Sequence, residues 1–289
     1  MIAIVYSGSR SANWKLANKE GIVSEFETLG INPFFNDEKF IQNLLNKNTE
    51  LINNAEKIKQ IYFFGVGIAS KRQKEIVSEP FEQFFRNGKI IVNTDLHAAA
   101  IASCNDQPGI IGVLGSGSNA AYFDGKKIKP NNFGLGYILG DEGSANYLGK
   151  SLLRLYLNGN LPVDLEQKFK KKYDLDRKQI LDKIYRQRQP AAFLSSFIDF
   201  LLENHEDNIF VKELVCAGFE KYLLTYICPL KKQFPQTPIH IVGAVASNFE
   251  NWLLETAKQQ NLLISSVIKE PIYNVLNYYH NKLKYEDWN

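Results

Sequence analysis

Residues 112–145 read GVLGSGSNAAYFDGKKIKPNNFGLGYILGDEGSA. An apolar run closes on Gly115-Ser116-Gly117-Ser118-Asn119, and a second strand-like run, Ala120 to Phe123, turns at Asp124-Gly125. The pattern predicts a β-hairpin whose tight loop presents backbone N–H groups and two hydroxyls. Glycine allows positive φ and close approach of backbone to a ligand, and successive N–H groups in such a turn form an anion-binding concavity. The second half is a glycine-spaced loop that delivers Asp141 and Glu142 to the start of an amphipathic helix. A phosphate cradle and an acidic pair in one segment point to chemistry on a phosphorylated or hydroxylated small molecule. Two ordinary turns joined by a loop would account for the glycines, but less well for their combination with the acids.

At 289 residues the chain is long for one domain, and two packed domains are the default expectation. An apolar fraction of 45% and an aromatic fraction of 12% are ample for a buried core. The formal charge is only +3, with Lys and Arg spread along the chain, which argues against a dedicated nucleic-acid binder. Cys104, Cys216 and Cys228 are far apart and lack CxxC spacing, so they read as buried thiols and not as disulfides or zinc ligands. The opening MIAIVYSGS has no basic region and too short an apolar stretch for a signal sequence. No apolar run is long enough to span a bilayer. A soluble, cytoplasmic protein with no membrane partner is expected.

Outward from the central stretch, Ile2 to Tyr6 reads as a buried strand, Ser7-Gly8-Ser9 as a turn and Asn13 to Leu16 as a returning strand. This opening hairpin has the same design as residues 112–123, which suggests an internal duplication. A third strand near Ile22 to Thr28 completes a meander, and Gly30-Ile31-Asn32-Pro33 turns away from it. Residues 41–55 have helical spacing. Ile58 to Phe64 is a β-rich run ending at Gly65-Val66-Gly67, the pattern of a parallel strand that stops at a ligand crevice. A helix is expected next, with Ser78 as its cap and Pro80 in its first turn. Lys89 to Val92 is another strand, after which Thr94-Asp95 starts a helix through the alanines to Ser103; capping alone would explain Asp95. Val163 to Leu230 is almost wholly helical, and its basic stretch from Lys168 to Arg188 reads as solvated surface. Ile239 to Val242 returns to strand, meeting Gly243-Ala244. A helix over Phe249 to Ala257, a strand over Leu262 to Val267 and a final helix from Pro271 complete the chain. Hairpin followed by β-α alternation, twice, gives an α/β protein with two mixed sheets and a helical insertion in the second copy.

Taken together, these stretches resemble the N-acetylglucosamine kinases and the related BadF/BadG/BcrA/BcrD-type ATPases, of the actin-like, hexokinase-like ATPase fold. The similarity runs nearly end to end. It rests on the opening SGS loop with Trp14, Gly30-Ile31-Asn32-Pro33, Asp95 followed by alanines, LGSGSN at 114–119, GLGYILGDEGSA at 134–145 and VGAVA at 242–246. The later EPI with Tyr279-His280, and YRQRQPAAFLSSF at 185–197, add to it. The resemblance implies two ribonuclease H-like domains closing on ATP and a sugar. One would span 1–100, with a C-terminal helix over 272–289 packing back on it; the other would span 101–271, with the insertion near 160–235. It further implies that Ser7, Gly8, Ser9, Arg10 and Ser11 form a first phosphate loop and Gly115, Ser116, Gly117 and Ser118 a second. Gly243 and Ala244 would contact the adenosine. Asn32, Asn119, Gly134, Asp141 and Glu142 fall where the family holds its sugar, and Asp95 matches the catalytic base. ATP and Mg²⁺ follow as the expected cofactors, with amino-sugar phosphorylation as the activity and a homodimer compatible with it.

Residue chemistry agrees with this. Phosphoryl transfer has a loose transition state, so a kinase chiefly positions reactants and stabilises charge, while one carboxylate accepts the hydroxyl proton. Asp141 can accept two hydrogen bonds from neighbouring sugar hydroxyls; dipole partnership with the following helix would also explain Asp141-Glu142. One departure stands out. At the end of its first strand the family carries an acidic residue, then a small-residue loop and Thr-Lys-Thr; here Tyr6 stands at the acidic position and Arg10-Ser11-Ala12 follow the loop. A phenol is a poor partner for hydrated Mg²⁺, so no protein ligand is assigned to the metal, which is expected through the nucleotide. Arg10 can pair with a phosphate directly. A catalytically weakened sugar sensor is therefore the alternative to a working kinase.

Overall fold

The computed structural model describes residues 1–8, 10–187 and 189–283. In chain order the elements are β1 (Ile2–Ser7), β2 (Ser11–Asn18), β3 (Gly21–Leu29), α1 (Glu38–Asn46), α2 (Thr49–Asn54), β4 (Gln60–Gly65), α3 (Lys71–Phe84), β5 (Lys89–Thr94) and α4 (Asp95–Cys104). Next come β6 (Pro108–Leu114), β7 (Ser118–Asp124), α5 (Gly136–Leu139), α6 (Ala145–Leu157), α7 (Val163–Tyr173), α8 (Arg177–Tyr185), α9 (Pro190–Ser195), α10 (Ile198–Glu203) and α11 (Ile209–Tyr222). A π-helical turn over Leu223–Ile227 leads into α12 (Cys228–Gln233), followed by β8 (Ile239–Val242), α13 (Ala244–Asn248), α14 (Glu250–Gln259), β9 (Ile264–Ile268) and α15 (Ile272–Lys282). Among the described residues, no helix is long and apolar enough to cross a membrane.

The chain divides into two compact units, one of residues 1–107 with the segment from Pro271 onward, the other Pro108–Glu270. The division falls after residue 107 because α4 runs on to Cys104 within the first unit. The expected C-terminal helix is described as far as Lys282; residues 284–289 of that expectation lie outside the described residues.

In the first unit the sheet order is β3-β2-β1-β4-β5, with β1, β2 and β3 antiparallel and β1, β4 and β5 parallel. Side chains alternate across the sheet at every second residue. Ala3, Val5, Ile61 and Phe63 face a core with Ile41 and Leu45 of α1 and Val77 and Phe81 of α3. Ile2, Ile4, Tyr62 and Phe64 face Ala98 and Ile101 of α4 and Ile272, Val275 and Leu276 of α15. Trp14 is fully buried and stacks on both Phe26 and Phe81.

The helix after β4 corrects one expectation. Ser70, not Ser78, caps α3, its side chain accepting the Gln73 N–H at 3.3 Å. Pro80 consequently sits deep inside the helix, where a proline costs about 3 kcal/mol. Packing outweighs that cost: Val77, Pro80 and Phe81 form one buried face at i, i+3, i+4 spacing. A second correction concerns α4, whose cap is Thr94; its hydroxyl accepts the His97 N–H at 3.1 Å and leaves Asp95 as the first helical residue.

The second unit carries the sheet β7-β6-β8-β9, again an antiparallel hairpin beside parallel strands. Its core joins Ile110, Ile239 and Ile241 of the sheet to Leu148 and Leu152 of α6 and to Phe169, Phe197, Phe200 and Phe219 of the helical stretch α7–α12. Helix α6 lies close against α9 because Gly149 has no side chain: a Cβ there would stand 1.9 Å from the Leu194 carbonyl oxygen. Glycine to alanine in a helix interior ordinarily gains about 1 kcal/mol, but overpacking against backbone costs about 1–3 kcal/mol. Gly149→Ala should therefore lower the denaturant midpoint of the second unit, and a raised midpoint would contradict this packing.

Candidate functional site

In the second unit the sequence-predicted residues converge on the turn between β6 and β7. Gly115 N–H donates to Gly117 O at 3.0 Å, closing the loop on itself. The first N–H groups of α6 donate back to it, Ala145 to Gly115 O at 2.9 Å and Asn146 to Ser116 O at 3.0 Å. Ser118 turns inward: it is buried, its N–H donates to Asp141 Oδ1 at 3.1 Å and its hydroxyl to the Glu142 carbonyl at 2.8 Å. Ser116 is exposed. Among the described residues, the N–H groups of Ser116 and Gly117 take no acceptor within the chain. Two unclaimed, adjacent N–H groups on an exposed turn are what an anion would bind.

Asp141 is buried and has a positive φ of 62°, a conformation that asparagine and aspartate tolerate better than most residues. Besides the Ser118 N–H on one oxygen, its Oδ2 accepts the Asn146 side-chain amide at 3.1 Å. Burial raises its pKa, these two donors oppose that rise, and Glu142 adds to it while Lys150 lowers it. A side chain at 117 would crowd this carboxylate, since a Cβ there would lie 3.0 Å from Asp141 Oδ1. Glu142 accepts a hydrogen bond from the Tyr226 hydroxyl. Ser144 caps α6 through the Tyr147 N–H at 3.3 Å, so the acidic pair precedes the helix by a turn and does not open it.

Asn119 and Gly134 come together as well. Gly134 has φ 77°, and a Cβ there would stand 2.9 Å from the Asn119 amide nitrogen. Asn119 Oδ1 accepts the Ala120 N–H at 2.8 Å, which holds the amide in place. On the other side of the loop, Gly243 has φ 134°; a Cβ there would be 2.4 Å from Leu114 O and 3.1 Å from Gly115 N. Its backbone thus lies directly against the start of the turn, and Ala244, the first residue of α13, is exposed.

In the first unit the β1–β2 turn is closed by Gly8 N–H donating to Ser11 O at 2.9 Å. Ser9, placed by sequence in the first phosphate loop, lies outside the described residues. Arg10 is exposed and Ser11 half-buried. Ser7 does not face outward: it is fully buried, and its hydroxyl accepts the Ile31 N–H at 2.8 Å while donating to the Ile31 carbonyl at 3.1 Å. It anchors the Gly30-Ile31-Asn32-Pro33 turn to the end of β1. Asn32 is buried, its Oδ1 accepting the Phe34 N–H at 3.0 Å, and a Cβ on Gly67 would lie 2.4 Å from that oxygen. Asn32 therefore sits at the end of β4, where the parallel strands stop.

Asp95 follows β5 directly. Its Oδ1 accepts the Leu96 N–H at 2.9 Å, yet desolvation prevails and its pKa is raised to about 6. Tyr6, on β1, packs against the Ile4, Phe64 and Ala98 cluster. Burial, with the Asp95 charge added, raises its pKa, so the phenol is neutral at any physiological pH. Among the described residues no three His, Cys, Asp or Glu side chains gather as a metal-binding group. Sequence reasoning missed Asn146, which carries no signal of its own: it lies just past the GDEGSA motif, among residues that read only as helix.

No protein-family model matches the chain, and no curated protein matches it. Among solved structures, a Porphyromonas gingivalis protein described as "Putative N-acetylglucosamine Kinase" is 34% identical, over 97% of this chain and 99% of that one, with a TM-score of 0.91. One from Chromobacterium violaceum, described in the same words, is 18% identical over 96% and 98% of the two chains, with a TM-score of 0.73. A ROK family glucokinase from Streptomyces griseus, in complex with glucose and AMPPNP, shares the fold at a TM-score of 0.57, with 12% identity over 94% and 97%. The chain belongs to the N-acetylglucosamine-kinase-like family of sugar-kinase ATPases, an α/β protein of the two-domain actin-like fold.

Proposed function

We propose that this protein transfers the γ-phosphoryl group of ATP to a hydroxyl of an amino sugar, with N-acetylglucosamine as the first candidate. The observation that carries the reading is the Gly115–Ser118 turn, which has Asp141 hydrogen-bonded to one end and Gly243 packed on the other. The motifs that the family resemblance links to sugar, phosphate and adenosine are thus contiguous within one unit. Ser116 and Gly117 N–H groups bind phosphate oxygens; Gly243 and Ala244 contact the adenosine; Asn119, Gly134 and Asp141, with Glu142 behind them, hold sugar hydroxyls. In the first unit, Ser7 anchors the Asn32 turn from within, while Gly8, Ser9, Arg10 and Ser11 serve the nucleotide's phosphates. Asn32 contributes to sugar binding.

Asp95 is the general base. With a pKa of about 6 it is mostly ionised above neutrality, yet basic enough to take a proton. The acceptor hydroxyl gives its proton to the Asp95 carboxylate as its oxygen attacks the γ-phosphorus. The bond from that phosphorus to the ADP oxygen breaks, leaving sugar phosphate and ADP. Mg²⁺ would neutralise phosphate charge when bound with the nucleotide. Tyr6 supplies a neutral phenol where the resemblance places an acid, so no protein ligand to the metal is assigned. The same Tyr6 observation favours a second reading, a sugar-binding sensor that transfers phosphate poorly.

A coupled ADP-release assay separates the two, using N-acetylglucosamine, glucosamine, N-acetylmuramic acid and glucose with and without Mg²⁺. Release with an amino sugar is expected; calorimetric sugar binding with no release from any of them would select the sensor. Tyr6→Asp should raise Mg²⁺-dependent turnover where metal binding limits the rate, and no gain in a folded variant would remove Tyr6 from that position.

Asp95→Asn should reduce turnover by about 10²-fold or more while sugar affinity is retained; unchanged turnover would exclude Asp95 as base. Its effect on stability should have the opposite sign. The folded-state pKa of Asp95 lies above the 3.8 of an ordinary aspartate, so its ionised form costs stability above about pH 6. That cost fades as pH falls through 6 towards 3.8. Asp95→Asn should therefore stabilise the protein by about 1–3 kcal/mol at pH 8, with little gain at pH 4, as read from denaturation midpoints at the two values.

A further inference from the structure

Asn146, the second residue of α6, is buried at 6% relative exposure, and its two side-chain atoms are treated very differently. The amide nitrogen donates to Asp141 Oδ2 at 3.1 Å. The amide oxygen is buried and, among the described residues, has no hydrogen-bond partner. A buried acceptor left unpaired destabilises the fold, so this amide is oriented for Asp141 and not for its own satisfaction. The backbone N–H of the same residue donates to Ser116 O, while the other Asp141 oxygen takes the Ser118 N–H. Asn146 and Asp141 together therefore hold the exposed turn at two points, Ser116 and Ser118. Between them lies Gly117, and the N–H groups of Ser116 and Gly117 remain unclaimed within the chain.

We infer that Asn146 is a positioning residue for both ligands of this site: by fixing the Asp141 carboxylate it sets the turn that binds the nucleotide's phosphates and the oxygen that meets the sugar. The inference rests on the kinase reading for the identity of those ligands. It is specific in its route, because the Asn146 side-chain amide donates to Asp141 and acts through that carboxylate. Leucine at 146 would match the volume and remove both the donor and the orphaned oxygen. Aspartate would keep the shape and replace the donor by a second carboxylate oxygen beside Asp141.

The test measures ADP and N-acetylglucosamine binding by calorimetry, together with thermal melting, for the full chain. Asn146→Leu should weaken each ligand about 10-fold or more and also lower the melting temperature, since it leaves the buried Asp141 Oδ2 without its side-chain donor even as it removes the unpaired amide oxygen. Asn146→Asp should weaken both ligands similarly, and it carries the test alone if the leucine variant does not fold. In an Asp141→Asn background, Asn146→Leu should add less than about 2-fold, the non-additivity of residues acting through one group. Wild-type affinity in either folded variant would overturn the inference, as would a further full 10-fold loss in the Asp141→Asn background. Wild-type protein that binds both ligands but releases no ADP would defeat the kinase reading while the binding data still judge Asn146. Wild-type protein that binds neither would defeat both.

Discussion

A carboxylate taken out of water must be given hydrogen bonds, and the second unit is arranged around meeting that demand at Asp141. Its two oxygens are supplied by a backbone N–H from the β6–β7 turn and by an amide from α6. Those donors come from segments separated in sequence by the whole glycine-spaced loop, so satisfying the carboxylate fixes where the turn, the loop end and the helix start must be. The surrounding choices follow. Asp141 adopts positive φ to aim its side chain back at the turn, and Gly143 follows with φ 72°. Gly143 has little alternative, since a Cβ there would lie 2.9 Å from the Gly218 carbonyl oxygen. Ser144 then caps the helix so that its N-terminus can point at the loop carbonyls.

The first unit solves a related problem at the ends of its parallel strands, where backbone groups lose their ladder partners. Ser7 closes β1 by pairing with both backbone groups of Ile31, and Asn32 closes the next turn with its own side chain. Asp95, directly after β5, has only backbone donors for company. Like Asp141 it takes two donors, but both are backbone N–H groups at its own helix start, and desolvation still raises its pKa to about 6, which suits the role of base proposed for it.

Much of this was legible in the sequence because turns and strands announce themselves locally. LGSGSN between two apolar runs could be little other than a hairpin turn, and IAIVY and IYFFG read as buried strands from composition alone. What local pattern could not give was the direction of side chains in the turns. Ser7 and Ser118 carry hydroxyls in what read as phosphate loops, yet both point inward, because each belongs to a strand end, β1 or β7, whose pleat alternation decides the face it takes. The nearness of Asn119 to Gly134 likewise depends on how the intervening loop folds back, which spacing does not encode. At α3 the rule that a proline belongs in the first turn selected Ser78 as the cap, where Ser70 serves. Tertiary burial of the Val77-Pro80-Phe81 face overrode that local preference.

Tyr6 shows how closely the strand ends are coupled to their surroundings. The side chain faces Ile4, Phe64 and Ala98, an apolar wall in which a carboxylate would need a cation to be tolerated. Where the family has its acid, the metal can be that cation; with Tyr6 the wall is satisfied without one. The same substitution removes a negative charge from the neighbourhood of Asp95, whose pKa is raised by desolvation and would be raised further by a second carboxylate. A neutral phenol in place of the acid would thus weaken any metal contact at β1 and leave Asp95 the better ionised for the role of base proposed for it. On the function proposed, a chain that retains Asp95 alongside Tyr6 would hold the phosphate end differently while keeping a carboxylate for the acceptor's proton.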